Sequence, residues 1–315
     1  MPQEASLRES YGKTLVELGK ENPDIVALEA DLCWSTMTHL FRDEFPERFF
    51  DCGIAEQNMI SIAAGLAASG KIPFASTFAV FAPGRCFDQV RVSVVQPRLN
   101  VKIVGTHGGI SVGEDGISHQ AIEDLALANS LPGFSVVVPA DAVETAQAVR
   151  TAASTHGPFY IRLCRPKSPV VCSEDYHFTL GKAATMREGD KATIIATGIM
   201  VAPALAAADN LKQDGINCRV LNMSTLKPLD EAAIIKAATE TGAIVTAEDH
   251  LEHGGLGSLV ARVAATHHPV PLEFVAIKDT YAESGKGPEL LQRYGITAGD
   301  IEQAVRSVIR RRGDK

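Results

Sequence analysis

Three short segments in the first half of the chain combine residue types that could do chemistry. The segment DCGIAEQNM (51–59) places a carboxylate, Glu56, just after a glycine turn and at the start of an apolar stretch with helical periodicity. Further along, STFAVFAPGR places Phe78 and Phe81 three positions apart. The segment THGGISVGEDGISHQ (106–120) then brings together two histidines, two carboxylates and four glycines. These residue types serve proton transfer, aromatic ring binding and ligand-binding loops.

Each of these segments also has an ordinary structural interpretation. A carboxylate at a helix N-terminus complements the helix dipole, and paired phenylalanines usually pack in a core, although they can also form a flat slot for a heteroaromatic ring. The third segment is too polar and too rich in glycine for a helix or strand. It follows the apolar run VKIVG, so we expect a loop at the carboxyl edge of a parallel sheet, where α/β proteins bind ligands. The presence of His107, Asp115 and His119 on one such loop predicts a site.

Apolar runs alternate with amphipathic stretches along the chain, which predicts βαβ units, parallel sheets and an α/β fold. In the first half, the predicted strands are Asp24–Ala30, Pro73–Thr77, Val101–Gly105, Ser135–Val138 and Phe159–Leu163. The predicted helices are Leu7–Gly19, Glu56–Ala68, Gly84–Val95, Gln120–Ala128 and Ala142–Ala153. The last of these follows Asp141 as N-cap, with Glu144 three residues later, which is the arrangement of a capping box.

A segment without helical periodicity separates two such patterns. Residues 165–187 contain two prolines, which indicates a linker. The strands predicted after it are Ala192–Ala196, Cys218–Asn222, Ala243–Glu248 and Leu272–Ala276, and the helices are Val201–Gln213, Glu231–Thr239, Leu256–Ala265, Glu289–Tyr294 and Ile301–Arg311. We therefore predict a parallel-sheet domain over residues 1–165, a linker over 166–190 and a smaller α/β domain over 191–315.

Composition excludes several classes of protein. The chain has 315 residues, 45% of them hydrophobic, and a formal net charge of −8, so neither nucleic acid nor an anionic membrane is an expected partner. No apolar window is long enough for a transmembrane helix, and the polar start does not resemble a signal peptide. Six scattered cysteines without a CxxC pair favour reduced thiols in the cytoplasm. His250 and His253 have no cysteine partner nearby, so we expect a structural or interfacial role for them and no zinc site.

Four motifs, GIAEQNM, TFAVF, THGGISVGEDGISHQ and PADAVET, resemble in this order the C-terminal half of transketolase. The resemblance covers essentially the whole chain. It implies the use of thiamine diphosphate and a pyrimidine-binding domain followed by the family's C-terminal domain. The beta subunits of 2-oxo acid dehydrogenases share the glutamate region but not the GEDGxxHQ loop. Deoxyxylulose-phosphate synthase has a related loop but carries both halves in one longer chain.

The other half of a transketolase is not represented in this sequence. Full-length members of the family hold the metal and the diphosphate with a GDG motif, and no GDG occurs here. The resemblance therefore implies the small subunit of a split transketolase, whose large subunit would hold the diphosphate and a Mg²⁺ or Ca²⁺ ion. The family's two-fold pairing implies two large and two small subunits.

The resemblance also implies roles for individual residues. Glu56 matches the acid that donates a proton to a ring nitrogen of the cofactor's aminopyrimidine, and His119 matches a histidine that faces the reacting centre. The residues matching the family's cofactor pocket are Phe78 and Phe81, which line the pyrimidine, and Leu32 and Asp31 in the EADL segment. Those matching its substrate site are Asp115, which reads a substrate hydroxyl, and His107, Arg165, Arg8 and Ser35, which grip a phosphate.

Three departures from the family pattern concern the substrate. Gly84 stands where transketolases often have an aromatic residue, Trp34 and Ser35 replace a more usual Pro-Ser, and Arg165 lies in LCRPK rather than LSRQ. The implied reaction is transfer of a two-carbon ketol unit from a ketose, phosphorylated or carrying another anionic group, to an aldose. Two alternatives are a 2-oxo acid dehydrogenase beta subunit and a non-catalytic paralogue that acts as an assembly partner.

Overall fold

The computed structural model describes residues 3–173 and 175–313, and within these residues the strands form three sheets. The strands are β1 (Glu4–Ala5), β2 (Ile25–Glu29), β3 (Phe49–Asp51), β4 (Ile72–Phe78), β5 (Lys102–Thr106), β6 (Ser135–Val137), β7 (Phe159–Arg162), β8 (Ser168–Pro169), β9 (Ala184–Arg187), β10 (Ala192–Ala196), β11 (Cys218–Asn222), β12 (Thr225–Lys227), β13 (Ile244–Leu251) and β14 (Leu272–Ile277). The helices are α1 (Leu7–Glu21), α2 (Cys33–Thr36), α3 (His39–Glu44), α4 (Glu56–Ala68), α5 (Phe87–Gln89), α6 (Asp124–Ser130), α7 (Ala142–Ser154), α8 (Val201–Gln213), α9 (Glu231–Thr241), α10 (Leu256–His267), α11 (Gly287–Arg293) and α12 (Ala298–Arg312).

The larger sheet has seven strands in the order β12-β6-β7-β5-β4-β2-β3. All neighbouring strands within this sheet run parallel, except that β12 pairs antiparallel with β6. The continuous burial of β2, β5 and β7 is typical of a parallel sheet covered on both faces. The predicted α/β fold with a parallel sheet is therefore confirmed, although the sequence pattern did not predict that β12, from the second half of the chain, completes this sheet.

The second sheet has five strands in the order β14-β13-β10-β11-β9, with β9 antiparallel at one edge. Both β8 and β9 lie within residues 166–190, which the sequence predicted as a linker. In β9 the burial alternates residue by residue, and Met186 packs against the second domain's core. A period-two pattern over four residues is too short to distinguish a strand from a loop.

Two predicted helices begin later than expected. The segment 84–95 forms α5 and a π-helical segment, Val90–Val95, after a series of turns. The helix predicted from Gln120 begins at Asp124, because Ala121 instead forms a β-bridge with Gly108. Within the described residues, none of the helices combines the length and the apolar character needed to cross a lipid bilayer.

Only one of the two hydrogen bonds of the predicted capping box at α7 forms. Asp141 Oδ1 accepts a hydrogen bond from the Glu144 backbone N–H at 2.9 Å, which confirms the N-cap. The Glu144 carboxylate, however, accepts from the backbone N–H of Ala140 at 2.7 Å, and Asn222 Nδ2 and the Tyr176 hydroxyl donate to it from the second half of the chain. Glu144 therefore ties α7 to the second domain.

A buried polar network joins the two domains. Asp249, on β13, accepts hydrogen bonds from the backbone N–H groups of Ile110 at 2.9 Å and Ser111 at 3.3 Å. Arg162, on β7, donates to the Asp249 backbone oxygen and to Asp124 Oδ2, each at 2.9 Å. Buried charges are tolerated when they are paired and hydrogen-bonded in this way. The network fixes the start of the 106–120 loop against the second sheet.

Candidate functional site

Most of the predicted site residues lie beyond the carboxyl ends of neighbouring parallel strands of the seven-stranded sheet. Asp31 and Leu32 follow β2, Glu56 follows β3, Phe78 ends β4, His107 follows β5 and Arg165 follows β7, whereas Ser35 is on α2 and Arg8 is on α1. Carboxyl ends of parallel strands meet at one edge, which is where α/β sheets bind ligands.

Glu56 is a buried carboxylate at the first position of α4, with only 1% of its surface exposed. Gly53, with φ +67°, provides the turn that the chain needs between β3 and this helix. Glu56 Oε2 accepts a hydrogen bond from Arg85 Nη1 at 2.8 Å, and the Thr77 hydroxyl donates to Oε1 at 3.5 Å. A buried acid with one partly exposed cationic partner is a group that a ligand can reach by displacing that partner.

Arg85 is a site residue that the sequence analysis missed. Its guanidinium carbon lies 4.1 Å from the centre of the Phe81 ring, and its side chain is 45% exposed. The Arg85 side chain therefore covers both the Glu56 carboxylate and one face of the Phe81 ring. A usable signal was present in STFAVFAPGR, because the arginine that ends this segment follows Phe81 by one helical turn's spacing.

Four aromatic rings form one cluster beside Glu56 and Arg85. Phe78 and Phe81 are stacked with centroids 6.0 Å apart and an interplanar angle of 10°. His107 stacks on Phe78 at 3.8 Å, and His119 presents its edge to Phe78 at 5.9 Å and to Phe81 at 5.5 Å. Burial, followed by the charges of nearby cations, lowers the pKa of His107 to about 3, so its imidazole is neutral. The neutral His107 imidazole can donate or accept a hydrogen bond, but it has no positive charge that would attract an anion.

The turn that carries Asp31 and Leu32 is held by a second buried carboxylate, Glu29, which the sequence analysis did not single out. Glu29 Oε2 accepts from the backbone N–H of Leu32 at 3.2 Å, and Oε1 accepts from the Thr38 hydroxyl at 2.9 Å. Burial raises the pKa of Glu29 to about 7. Asp31 has φ +61°, a conformation that only a strongly determined turn maintains in a residue other than glycine.

The predicted substrate group forms a second cluster. Arg8 donates from Nη1 to the Ser35 backbone oxygen at 2.5 Å and from Nη2 to the Arg165 backbone oxygen at 2.9 Å. Arg165 Nη1 donates to the Val112 backbone oxygen at 2.6 Å and lies 3.9 Å from Asp115 Oδ2. The structure thus brings Arg8, Ser35, Arg165 and Asp115 together. His107 stacks in the aromatic cluster and also lies close enough to Arg8 and Arg165 for their charges to add to the effect of burial on its pKa.

The donor set fits an aminopyrimidine ring. Glu56 is a buried carboxyl group of the kind that hydrogen-bonds a ring nitrogen, and the Phe78–Phe81 pair provides a flat apolar wall. Among residues 3–173 and 175–313, no group of three or more His, Cys, Asp and Glu side chains could hold a metal ion. His250 is fully buried and sits against the Leu251 backbone oxygen at 2.7 Å, which suits its expected structural role.

Comparisons with known proteins agree on one family. The model of the transketolase pyrimidine-binding domain matches residues 3–170, and that of the transketolase C-terminal domain matches residues 181–301. A transketolase C-terminal section from Methanocaldococcus jannaschii is 46% identical over 302 residues, covering 95% of each chain. The 6-deoxy-6-sulfo-D-fructose transketolase subunit SqwH of Clostridium sp. (strain MSTE9) is 43% identical over 98% of this chain and 96% of its own length.

A solved structure shows the same fold over nearly the whole chain. It is described as a split-gene transketolase in the form of an inactive beta4 tetramer. It is 51% identical to this chain, has a TM-score of 0.91, and the match covers 97% of this chain and 98% of that one. These matches confirm the resemblance drawn from the four motifs. The chain belongs to the transketolase family and carries its pyrimidine-binding domain followed by its C-terminal domain.

Proposed function

We propose that the chain is the small subunit of a two-chain transketolase that transfers a two-carbon ketol unit from an anionic ketose to an aldose. The observation that carries this proposal is Glu56, a buried carboxylate beside a stacked phenylalanine pair at the carboxyl edge of the sheet. The close relationship to proteins named as transketolase sections and subunits supports it. The domain division at 1–165 and 191–315 is part of the same proposal and is supported by the two family matches.

Each part of the site has a defined task in this proposal. When bound, thiamine diphosphate supplies the nucleophilic carbon that breaks and re-forms the carbon–carbon bond of the sugar. Glu56 holds a proton at a ring nitrogen of the aminopyrimidine, Phe78 and Phe81 pack on that ring, and Leu32 and Asp31 shape the adjoining wall. His119, edge-on to both phenylalanines, donates to a substrate oxygen.

The substrate end of the site recognises charge and stereochemistry. Arg8 and Arg165 attract an anionic terminal group, with Ser35 and the neutral His107 as further hydrogen-bonding partners. Asp115 accepts a hydrogen bond from a sugar hydroxyl. Because Asp115 lies 3.9 Å from Arg165, the two loops that carry these residues read the hydroxyl and the charge of the same substrate.

The proposal includes a partner subunit with the diphosphate-binding domain and a Mg²⁺ or Ca²⁺ ion, in a complex of two large and two small subunits. Exposed large apolar side chains support such a partner: Trp34, on α2, is 66% exposed, and Ile54 and Ile117, on loops, are 76% and 52% exposed. A cytoplasmic location fits six cysteines that are all free.

Reconstitution with a GDG-containing chain tests the function. We expect ketol transfer from a phosphorylated ketose to an aldose only when both chains, the cofactor and magnesium are present. Calorimetry on the lone chain should show weak cofactor binding. Turnover by the lone chain would overturn the split-enzyme proposal, and decarboxylation of pyruvate without ketol transfer would favour the 2-oxo acid dehydrogenase alternative. A complex without either activity would favour a non-catalytic partner.

A further inference from the structure

The loop GEDGISHQ (113–120) alternates between buried and exposed residues. Its buried residues are Gly113, Gly116 and Gln120, whereas most of the residues between them are exposed. His119 lies between the last two of these buried residues, and its backbone N–H donates to the Gly116 backbone oxygen at 2.9 Å. The buried residues on either side of His119 are those through which the loop contacts the C-terminal domain.

The contact at the glycines leaves almost no room for a side chain. A Cβ atom at Gly116 would lie 2.2 Å from Ser284 Oγ, and one at Gly113 would lie 3.1 Å from the Gly285 backbone oxygen. Gly116 also has φ +72°, a conformation that other residues rarely adopt. This end of the loop therefore lies directly against the SGKG segment (284–287) of the C-terminal domain.

The SGKG segment is itself anchored within its own domain. Gly285 packs closely on α11, since a Cβ atom there would lie 3.1 Å from Leu290 Cδ2. Leu290 is 2% exposed and belongs to the core of the second domain. Glu283, which precedes the segment, forms an ion pair with Arg293 of the same helix. The surface that the loop meets is therefore held in place by α11.

Gln120 makes the contact on the other side of His119. Its Nε2 donates to the Glu283 backbone oxygen at 3.0 Å, and only 3% of its surface is exposed. Its amide oxygen is also buried and has no hydrogen-bond partner among residues 3–173 and 175–313. A buried polar atom without a partner lowers stability and offsets the gain from one neutral hydrogen bond. Stability alone therefore does not account for a glutamine at this position.

The orientation of the His119 ring and the position of its backbone have different causes. The Ser118 hydroxyl lies 2.9 Å from Nδ1 of the ring, and the ring presents its edge to Phe81 at 5.5 Å. These contacts orient the ring, whereas the contacts at Gly116 and Gln120 fix the backbone that carries it. A displacement of about 1 Å in a group at a reacting centre can reduce the rate by about 10²-fold.

We propose that Gln120 is a positioning residue, through which the C-terminal domain holds His119 at the site. This inference deepens the proposed function and rests on it for the reaction that His119 serves. Gln120 acts on the backbone next to the histidine and touches neither substrate nor cofactor. The C-terminal domain thereby contributes to the site without supplying a side chain that contacts the substrate.

Steady-state kinetics of the reconstituted enzyme test this role. Gln120→Met keeps the length of the side chain but removes the donor, so we expect kcat to fall by about tenfold while KM for the ketose changes by less than about threefold. Exchange of the thiazolium proton should keep the wild-type rate, because Glu56 is unchanged. A kcat within about twofold of the wild-type value would overturn the inference.

Gln147→Met is the matched control for this substitution. Gln147, on α7, also donates from Nε2 to a backbone oxygen, that of Tyr176, at 2.6 Å. The control therefore loses the same kind of hydrogen bond at a distance from the loop, and we expect wild-type kcat from its folded enzyme. An equal loss of kcat in both variants would show that the effect of Gln120 is not specific to the loop.

A double-mutant cycle tests whether Gln120 acts through His119. Residues that act as a unit have non-additive effects, so Gln120→Met should reduce kcat by less than about twofold in a His119→Ala background. A general effect on the folded enzyme would instead multiply the His119→Ala defect. A further loss of about tenfold in the double variant would contradict the positioning role.

Hydrogen exchange on the full chain separates the loop contact from the activity. The backbone N–H groups of residues 113–120 should exchange about tenfold faster in Gln120→Met, because the loop opens more often, and at the wild-type rate in Gln147→Met. If the complex fails to transfer ketol units but this pattern holds, the loop contact stands and the proposed function is wrong. Unchanged exchange in Gln120→Met would mean that Gln120 does not hold the loop, whatever the activity.

Discussion

The seven-stranded and five-stranded sheets are built from the same kind of parallel strand–helix units, yet their carboxyl edges are used differently. At the first edge, Glu56 pairs with the partly exposed Arg85, and His119 presents its edge to the Phe81 ring. At the second, Glu248 and Asp249 also lie near the end of a strand, but both are buried. Their oxygens are occupied by the protein itself, since Glu248 accepts from the backbone N–H groups that begin α10 and Asp249 accepts from the first domain.

The difference shows that a cluster of acids at a strand end does not by itself make a site. What distinguishes Glu56 is its partner: a partly exposed arginine side chain that can move, whereas the partners of Glu248 are backbone groups that cannot. Under the proposed function, the first edge receives ligands, whereas the second forms an interface between domains.

The largest expected effect is that of Glu56→Gln on turnover. The amide keeps the shape of the side chain but cannot supply the carboxyl proton, so kcat of the reconstituted enzyme should fall by ~10²–10⁴, the range for general acid–base groups. Steady-state kinetics measure this. Glu248→Gln is the matched control, and we expect it to affect stability rather than the turnover of folded enzyme. A comparable loss of kcat in Glu248→Gln would remove the contrast between the two edges.

Asp249→Ala should have the largest effect on stability. It removes the acceptor for two backbone N–H groups and one of the two carboxylates near the buried Arg162, which keeps its pair with Asp124. Each buried N–H group left without an acceptor costs about 1–3 kcal/mol. Urea denaturation measures the loss, with Asp249→Asn expected to lose less because it keeps an acceptor oxygen. A change of less than about 1 kcal/mol would show that the interface does not depend on this residue.

The pH dependence of stability should carry a contribution from Glu248. Burial raises its pKa from 4.5 to about 7, so the folded chain holds this proton more tightly than the unfolded chain. The resulting stabilisation is full below pH 4.5 and is lost as the pH rises towards 7. At about 1.4 kcal/mol per pKa unit, the wild type should lose up to about 3 kcal/mol relative to Glu248→Gln over this range. Urea denaturation at a series of pH values checks this, and a constant difference would contradict it.

Arg165→Ala should weaken substrate binding without affecting cofactor activation. Loss of a charge-assisted contact corresponds to ~1.5–3 kcal/mol, or roughly a ten- to hundredfold increase in KM for a phosphorylated ketose. The KM for an unphosphorylated analogue should change much less. Equal increases for both donors would mean that Arg165 does not contact the anionic group.

Arg85→Gln should have the smallest effect, and in the opposite direction. In the described structure, Arg85 covers Phe81 and donates to Glu56, so a ring that binds there has to displace it. Glu56 is buried, but the Arg85 end of the pair is 45% exposed and is screened by solvent, so cofactor affinity of the reconstituted enzyme should rise no more than about fivefold. Calorimetric titration measures this. Weaker cofactor binding in the variant would show that Arg85 supports the ring instead of competing with it.

Local patterns were sufficient for the individual units of the fold and for several site residues. Glycine turns, apolar runs and the family motifs led to three site residues: Glu56 follows a glycine turn, Phe78 directly follows the predicted strand Pro73–Thr77, and His119 lies in the glycine-rich loop after VKIVG. The pairing of Glu56 with Arg85 and the addition of β12 to the first sheet depend on contacts between segments distant in the chain. Such contacts are decided by tertiary packing, which the period of a single segment does not encode.

The exchange rate of the thiazolium proton in the reconstituted enzyme tests the central claim, that Glu56 acts at an edge open to the cofactor, most directly. Nuclear magnetic resonance of enzyme-bound thiamine diphosphate after transfer to deuterated water measures this rate independently of any sugar. We predict much slower exchange in Glu56→Gln and wild-type exchange in Glu248→Gln and Arg165→Ala. Exchange at the wild-type rate in Glu56→Gln would contradict the proposed role of Glu56.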